Sequence, residues 1–157
     1  MNNALDQPAT ADSPLADLVG KLRRGEATPP PIADLVGFYP LSVEPGRAVF
    51  ELEVDPARHA NPMGTLHGGI LATLADTAMG MAYAASLGPN ETFTTLELKI
   101  NFLRPVWSGR LRATGHVVQG GRTVGLTECD VVDDKDRLVA RASSTCMTLR
   151  GEQSVGR

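Results

Sequence analysis

One segment of the chain constrains its fold more than any other. It spans residues 67–85, reads HGGILATLADTAMGMAYAA, and has a pair of glycines near its start and a single acid in its middle. Its hydrophobic residues lie all round a helical wheel instead of forming one stripe, which is typical of a helix buried on every side. Burying the unpaired carboxylate of Asp76 would cost several kcal/mol. The pattern therefore predicts a long buried helix, about 67–86, in which Asp76 has a partner, a cavity or, as our leading hypothesis, a catalytic role.

Size, charge and composition exclude several classes of protein. With 157 residues, a net charge of -3 and only 4% aromatic residues, the chain favours one domain and is a poor candidate for binding nucleic acid. Asp76 and the many alanines and glycines around it argue against a membrane span. The N-terminus does not resemble a secretory signal, so we expect a cytoplasmic protein. Cys129 and Cys146 have no metal-ligand spacing and are predicted to be core residues of a reduced protein.

The ends of the chain differ from its middle. Residues 1–12 are polar and without period, and we expect them to be either disordered or loosely packed on the surface. Apolar residues at helical spacing predict a short amphipathic helix at 14–24, and the three prolines at 29–31 predict an extended connection after it. The predicted organisation is a flexible N-terminal segment at 1–31, a single domain at 32–150 and a flexible tail at 151–157.

Alternating apolar and polar residues predict an antiparallel sheet of five to six strands around the buried helix, which makes the fold α+β. The predicted strands lie near residues 36–43, 48–54, 94–103, 110–117, 122–132 and 137–149. A single curved sheet covers only part of a helix, and its edges remain unpaired. We therefore expect a homodimer, and beyond it a dimer of dimers.

The start of the buried helix is a candidate oxyanion hole. The first N–H groups of a helix lack partners within it, and Gly68 and Gly69 would let a substrate carbonyl come close to them. Alternatively, these glycines only relieve crowding, and His67 before them only makes a structural hydrogen bond. His67 and Asp76 are nine residues apart, or about 13 Å along a helix. If both act on one carbon, the site must lie across a dimer interface.

Other residues are weaker candidates. Asn61 lies in a turn-rich loop before the helix, where its amide either points into a cleft or forms an Asx turn. Thr95 lies on the polar side of a predicted strand and either holds a water or carboxylate or faces solvent. Arginines near strand ends, with a threonine after a Gly-Gly turn, either bind phosphates or are solvated; they are Arg104, Arg122, Arg150 and Thr123.

Residues 58–80, RHANPMGTLHGGILATLADTAMG, resemble the Asn-x-x-Gly-x-x-His-Gly-Gly…Asp block of hotdog-fold thioesterases. The likeness is to the PaaI and THEM-type branch, which includes 4-hydroxybenzoyl-CoA and phenylacetyl-CoA thioesterases, and it covers about residues 35–149. It implies a hotdog fold, in which an antiparallel sheet wraps one long helix. It also implies an acyl-CoA substrate, so that coenzyme A is part of the substrate and neither a cofactor nor a metal is expected.

The resemblance also implies a role for each candidate. Asp76 would be the general base or the nucleophile, and the Gly68 N–H would be the oxyanion donor, supplied by the opposite protomer. His67 would help to orient the thioester, Asn61 would lie near it, and Thr95 would position the water. Contacts to the CoA moiety would fall to the phosphate candidates, Arg104, Arg122, Thr123 and Arg150.

Two alternatives stay open at this point. An enoyl-CoA hydratase of the same fold would need an Asp and a His on one substrate carbon, but no Asp-x-x-x-x-His pair follows Asp76. A non-catalytic acyl-CoA binding protein would have little use for a buried carboxylate beside a thioester. The pocket for the acyl group, which is an aryl ring or a short or medium alkyl chain, would be lined by Ala72, Met79, Met81, Tyr83 and Trp107.

Overall fold

A computed structural model describes residues 14–154, and it consists of one six-stranded antiparallel sheet with helices packed against it. The predictions for residues 1–12 and 155–157 lie outside the described residues. The elements, in chain order, are α1 Pro14–Arg24, α2 Pro31–Val36, β1 Phe38–Glu44, β2 Arg47–Val54, α3 Pro56–His59, α4 Gly68–Ala84, β3 Glu91–Phe102, β4 Gly109–Gly120, β5 Val124–Asp133, β6 Leu138–Arg150 and a 3-10 turn at Gly151–Ser154.

The sheet has the strand order β1-β2-β4-β5-β6-β3. β1 and β2 form the predicted hairpin around Gly46, which has a positive φ of 79°. The connection from β2 to β3 contains α3 and α4, and β3 joins the far side of the sheet, where it pairs with the last strand, β6. In the described chain β1 and β3 are therefore the two edges of the sheet.

Helix α4 lies close against the middle of the sheet. Leu74, Ala78 and Ala82 on this side are fully buried. Gly115 of β4 makes the close approach possible, because a Cβ atom built there would lie 2.4 Å from the carbonyl of Ala78. The sheet thereby fixes the position of the helix that carries Asp76.

The prediction that α4 is buried on every side is wrong for the single chain. Ala72, Thr73, Asp76 and Thr77 are only half-buried, because the sheet covers one side of the helix and leaves this face open. Most residues of this face are small and are not charged, so hydropathy does not separate them from the core. The helix itself is confirmed, with bounds of Gly68–Ala84 instead of 67–86.

The N-terminal segment packs on the β1 side of the molecule. α1 occupies the predicted residues 14–24, and Val19 on it is buried, as are Ala33 and Val36 on α2. The prediction that Pro29–Pro31 only extends the chain is wrong at Pro31, which begins α2. Proline is favoured at the first position of a helix because the N–H it lacks would have no partner there. No helix in residues 14–154 is long and apolar enough to cross a membrane.

Candidate active site

Asp76 and Thr95 form a hydrogen-bonded pair between the helix and the edge strand. Asp76 lies on the half-buried face of α4, and the Thr95 hydroxyl donates to Asp76 Oδ1 at 3.1 Å. The register of β3 against β6 shifts between Thr95 and Glu97, which is a β-bulge at Leu96. The Ser144 hydroxyl donates to the Glu97 carbonyl at 2.8 Å and holds the strand just after the bulge. Since a bulge redirects neighbouring side chains, this irregularity helps to aim Thr95 at Asp76.

A buried thiol lies beside this pair but is not reactive. Cys146 is opposite Thr95 in the β3–β6 register and is fully buried. Burial above all, and to a smaller extent the negative charge of Asp76, raises the pKa of Cys146. Burial also raises the pKa of Cys129 to about 12. Both thiols are therefore protonated at neutral pH and cannot serve as thiolate nucleophiles. As predicted, both cysteines are free and lie in the core.

The start of α4 presents one available backbone donor. His67 caps the helix, and its Nδ1 accepts from the Gly69 N–H at 2.9 Å. The Ile70 N–H donates to the His67 carbonyl at 3.0 Å. Among residues 14–154 no acceptor meets the Gly68 N–H, which lies at the positive end of the helix dipole. Of the two predicted glycine donors, only Gly68 is open to a ligand. His67 makes the structural hydrogen bond that the sequence left as one alternative, and its role in orienting the thioester stays a prediction.

Asn61 organises the loop that leads into α4. Its Oδ1 accepts from the N–H groups of Met63 and Thr65, and its Nδ2 donates to the Thr65 hydroxyl at 2.8 Å. This is the Asx-turn alternative. Asn61 also lines a cleft of 370 Å³ that includes Gly68, Phe102 and Arg104. The loop thus fixes the wall of a cleft at the start of the helix.

The two halves of the candidate site lie apart within one chain. Gly68 and Asp76 are on the same helix and eight residues apart, so they are separated by about 12 Å along its axis. The cleft at Gly68 does not include Asp76. One chain therefore cannot bring the donor and the acid to the same carbon atom.

The predicted phosphate-binding residues are also divided between two ends of the sheet. Arg104 follows the end of β3 and lines the cleft with Gly68. Arg122 and Thr123 lie in the turn between β4 and β5, and the Thr123 carbonyl accepts from the Thr148 N–H, which places them near the far end of β6. Arg150 lies at that same end, where its Nε donates to Glu91 at 2.6 Å. Of these four residues, only Arg104 lies near Gly68 within a single chain.

The predicted acyl-lining residues do not form one wall. Met79 is fully buried, and Tyr83 is buried with its hydroxyl bonded to that of Thr148 at 2.8 Å. Trp107 is exposed beyond the end of β3, while Met81 lines a separate apolar cavity.

In the described residues no group of His, Cys, Asp and Glu side chains is arranged to hold a metal ion.

Comparison with known proteins identifies the family. The model of the thioesterase superfamily matches residues 63–140. Over 114 residues the chain is 32% identical to 1,4-dihydroxy-2-naphthoyl-CoA hydrolase from Listeria monocytogenes, covering 73% of this chain and 92% of that protein. The chain belongs to the thioesterase superfamily. It also shares 30% identity over 107 residues with human acyl-coenzyme A thioesterase 13, which covers 67% of this chain and 75% of that one.

A solved structure of this superfamily agrees with the fold. A substituted form of the phenylacetic acid degradation protein PaaI from Thermus thermophilus is 32% identical, with a TM-score of 0.69, and the match covers 75% of this chain and 98% of that one. The hotdog fold and the likeness to PaaI-type thioesterases are therefore confirmed. The protein is a thioester hydrolase, and its relatives support activity on acyl-CoA as a class.

Proposed function

We propose that the protein hydrolyses the thioester of an aryl or short- to medium-chain acyl-CoA to the free acid and coenzyme A. The observation that carries the proposal is the Asp76 carboxylate, which faces the open side of α4 and is held at one oxygen by Thr95. Among residues 14–154 no other donor contacts Asp76, so Oδ2 remains available to a water or a substrate. The reaction would need no cofactor or metal, because coenzyme A arrives as part of the substrate.

The chemistry follows from the two groups. As a general base, Asp76 takes a proton from water while the oxygen attacks the thioester carbonyl carbon. The negative charge that develops on the carbonyl oxygen is stabilised by the Gly68 N–H. The C–S bond then breaks, and the CoA thiolate leaves and is protonated. If Asp76 attacks the carbon itself, the same donor serves, and water hydrolyses the resulting mixed anhydride.

The 12 Å between Gly68 and Asp76 leads us to propose a homodimer with shared sites. β3 pairs on one side with β6, and its other edge is open in the described chain. Antiparallel pairing of two β3 edges would place the acid of one chain near the helix start of the other. It would also bring the end that carries Arg122, Thr123 and Arg150 beside the Arg104 of the other chain, where together they could contact the CoA moiety. A dimer of dimers and a cytoplasmic location stay predictions.

The direct test is thiol release from a panel of benzoyl-, phenylacetyl-, acetyl-, hexanoyl- and decanoyl-CoA. We expect turnover of one part of this panel by the native protein. Tight binding of these compounds without turnover would favour the acyl-CoA binding alternative. Water addition to an enoyl-CoA, followed as loss of its absorbance, would favour the hydratase alternative.

Replacing Thr95 tests the contact to the acid. Thr95→Val keeps the shape of the side chain and removes the donor, and we expect kcat to fall about tenfold to a hundredfold because hydrogen bonds to charged groups contribute about 1.5–3 kcal/mol. Thr95→Ser keeps the hydroxyl and should recover most of the rate. Thiol-release kinetics of both variants measure this difference. Equal rates for valine and serine would remove the hydroxyl from the mechanism.

Mixing two inactive variants tests the shared site. A heterodimer of one Asp76→Asn chain and one Gly68→Pro chain contains one site with both defects and one site with neither. Random exchange makes half of the dimers mixed, so activity should return to about a quarter of the native value in a twofold-symmetric dimer. The variants are mixed unfolded, refolded together and assayed, and each refolded alone is the control. A mixture no more active than its components would place both groups of a site in one chain or outside the reaction.

A further inference from the structure

An apolar cavity of 490 Å³ lies between the N-terminal segment, the edge strand β1 and helix α4. Most of this segment lies outside the part of the chain that resembles thioesterases, which begins near residue 35. The walls come from α1, α2, β1 and α4, and they include Val19, Leu22, Ala33, Phe38, Val43 and Met81. Packed interiors contain few voids larger than a water molecule, whereas ligand pockets have about 300–1,000 Å³. The volume is that of a binding pocket.

The lining of this cavity suits an alkyl chain. Two of its three hydroxyl groups are already bonded, since the Thr77 hydroxyl donates to the Thr73 carbonyl at 2.8 Å and the Tyr39 hydroxyl donates to the Glu51 carboxylate. Phe38, one of its rings, packs edge-on against Phe50 with centroids 6.0 Å apart. The remaining walls are mainly aliphatic, and Met81 has a flexible side chain that adapts to the shape of its neighbour. Phosphate or sugar groups would find few partners there.

The cavity reaches the helix that carries the candidate catalytic acid. Thr77, which lines it, directly follows Asp76 on α4, and Met81 lines it one turn further along. Both lie on the side of the helix that the sheet leaves partly uncovered. Asp76 itself does not line the cavity, so an alkyl chain that extends from a thioester carbonyl held at Asp76 would pass over this open face of α4 to enter it.

We propose that this cavity receives the alkyl chain of the acyl thioester, and that residues 18–34 form its outer wall and limit the length of the chain. This inference rests on the proposed function and narrows its substrate to medium-length alkyl thioesters. Each methylene that moves from water into the cavity should strengthen binding about fourfold. Leu22 is a half-buried wall residue whose enlargement should shorten the chain that fits.

The test compares two tryptophan substitutions in the same segment. Leu22→Trp enlarges a lining side chain and narrows the cavity, whereas Leu35→Trp changes an exposed leucine of α2 that does not line it. We expect Leu22→Trp to lower kcat/KM for decanoyl-CoA relative to butyryl-CoA by about tenfold or more, equivalent to two or more methylenes excluded. Leu35→Trp should keep the native ratio. Because each ratio comes from one sample, partial unfolding cannot produce the difference. An unchanged ratio in Leu22→Trp would overturn the inference.

Calorimetric binding of two thioethers separates this inference from the proposed function. S-decyl-CoA and S-ethyl-CoA cannot be hydrolysed, so they report on the cavity even if no thioester is turned over. We expect the native protein to bind S-decyl-CoA more tightly, and Leu22→Trp to lose most of that advantage. If the decyl chain increases binding affinity equally in the native protein and in Leu22→Trp, the cavity assignment is overturned and the hydrolase proposal is left intact. If the native protein hydrolyses no thioester but still binds S-decyl-CoA more tightly than S-ethyl-CoA, and Leu22→Trp reduces that difference, only the hydrolase proposal is overturned.

Discussion

Asp76→Asn is expected to lower kcat by about 10²- to 10⁴-fold, the contribution of a well-placed general base. The amide has nearly the same shape as the carboxylate, and its oxygen can still accept from the Thr95 hydroxyl, so the contact between α4 and β3 is retained. It cannot take a proton from water or attack a carbonyl carbon. The loss should therefore appear in kcat, while KM changes little. Thiol release from the best substrate of the panel measures both constants.

A matched control for this variant is Glu128→Gln. Glu128 is also a half-buried acid, but it belongs to β5 and lies 3.9 Å from the His116 side chain of β4. Neutralising it removes the same charge without touching the candidate site, so turnover should stay within about twofold of the native rate, as for surface changes that alter free energies by less than about 0.5 kcal/mol. Native turnover in Asp76→Asn would exclude Asp76 from the mechanism.

The sequence predicts the parts of the fold that depend on local pattern. The β1–β2 hairpin, the long strand before Phe102 and the helix around Asp76 all lie where alternation or apolar periodicity places them. The half-open face of α4 was not predicted, because alanine, threonine and glycine occur both in cores and at interfaces, and their hydropathy does not distinguish the two environments. The bulge at Leu96 was not predicted either, since it depends on pairing with β6 and on the Ser144 hydroxyl.

The site shows the same division between local and long-range information. Asp76 can be recognised from the sequence because a charged side chain inside an apolar helix is costly to bury unless it has a partner or a function. For His67 and Asn61 the sequence left two alternatives. The hydrogen bonds to Gly69 and Thr65 correspond to the structural one, and the roles of both residues at the thioester stay predictions. Arg104 follows the end of β3, whereas Arg150 of β6 pairs with Glu91 at the start of β3, so only the strand pairing reveals how far apart the two arginines lie. Their proposed meeting across two chains would depend on the assembly of the dimer.

Gly68→Pro is expected to lower kcat by about 10²- to 10³-fold, because it removes one oxyanion donor. Gly68 is the first residue of α4, where proline is well tolerated, and His67 before it has an extended conformation with ψ of 132°, which suits a residue that precedes proline. The substitution therefore deletes the N–H while the helix keeps its start. Thiol-release kinetics, together with the thermal unfolding midpoint, measure the effect.

Gly68→Ala separates the lost donor from the added bulk. A Cβ atom at this position would lie 2.8 Å from the tip of the Phe102 ring, and both variants carry that atom. Phe102 is 56% exposed, so its ring can turn away, and alanine keeps the N–H. We expect Gly68→Ala to retain much more of the native rate than Gly68→Pro. If the two variants are equally slow, crowding against Phe102 explains the loss and the Gly68 N–H is not the oxyanion donor. If only the Gly68→Pro variant is slow, the Gly68 N–H stabilises the negative charge that develops on the thioester carbonyl oxygen.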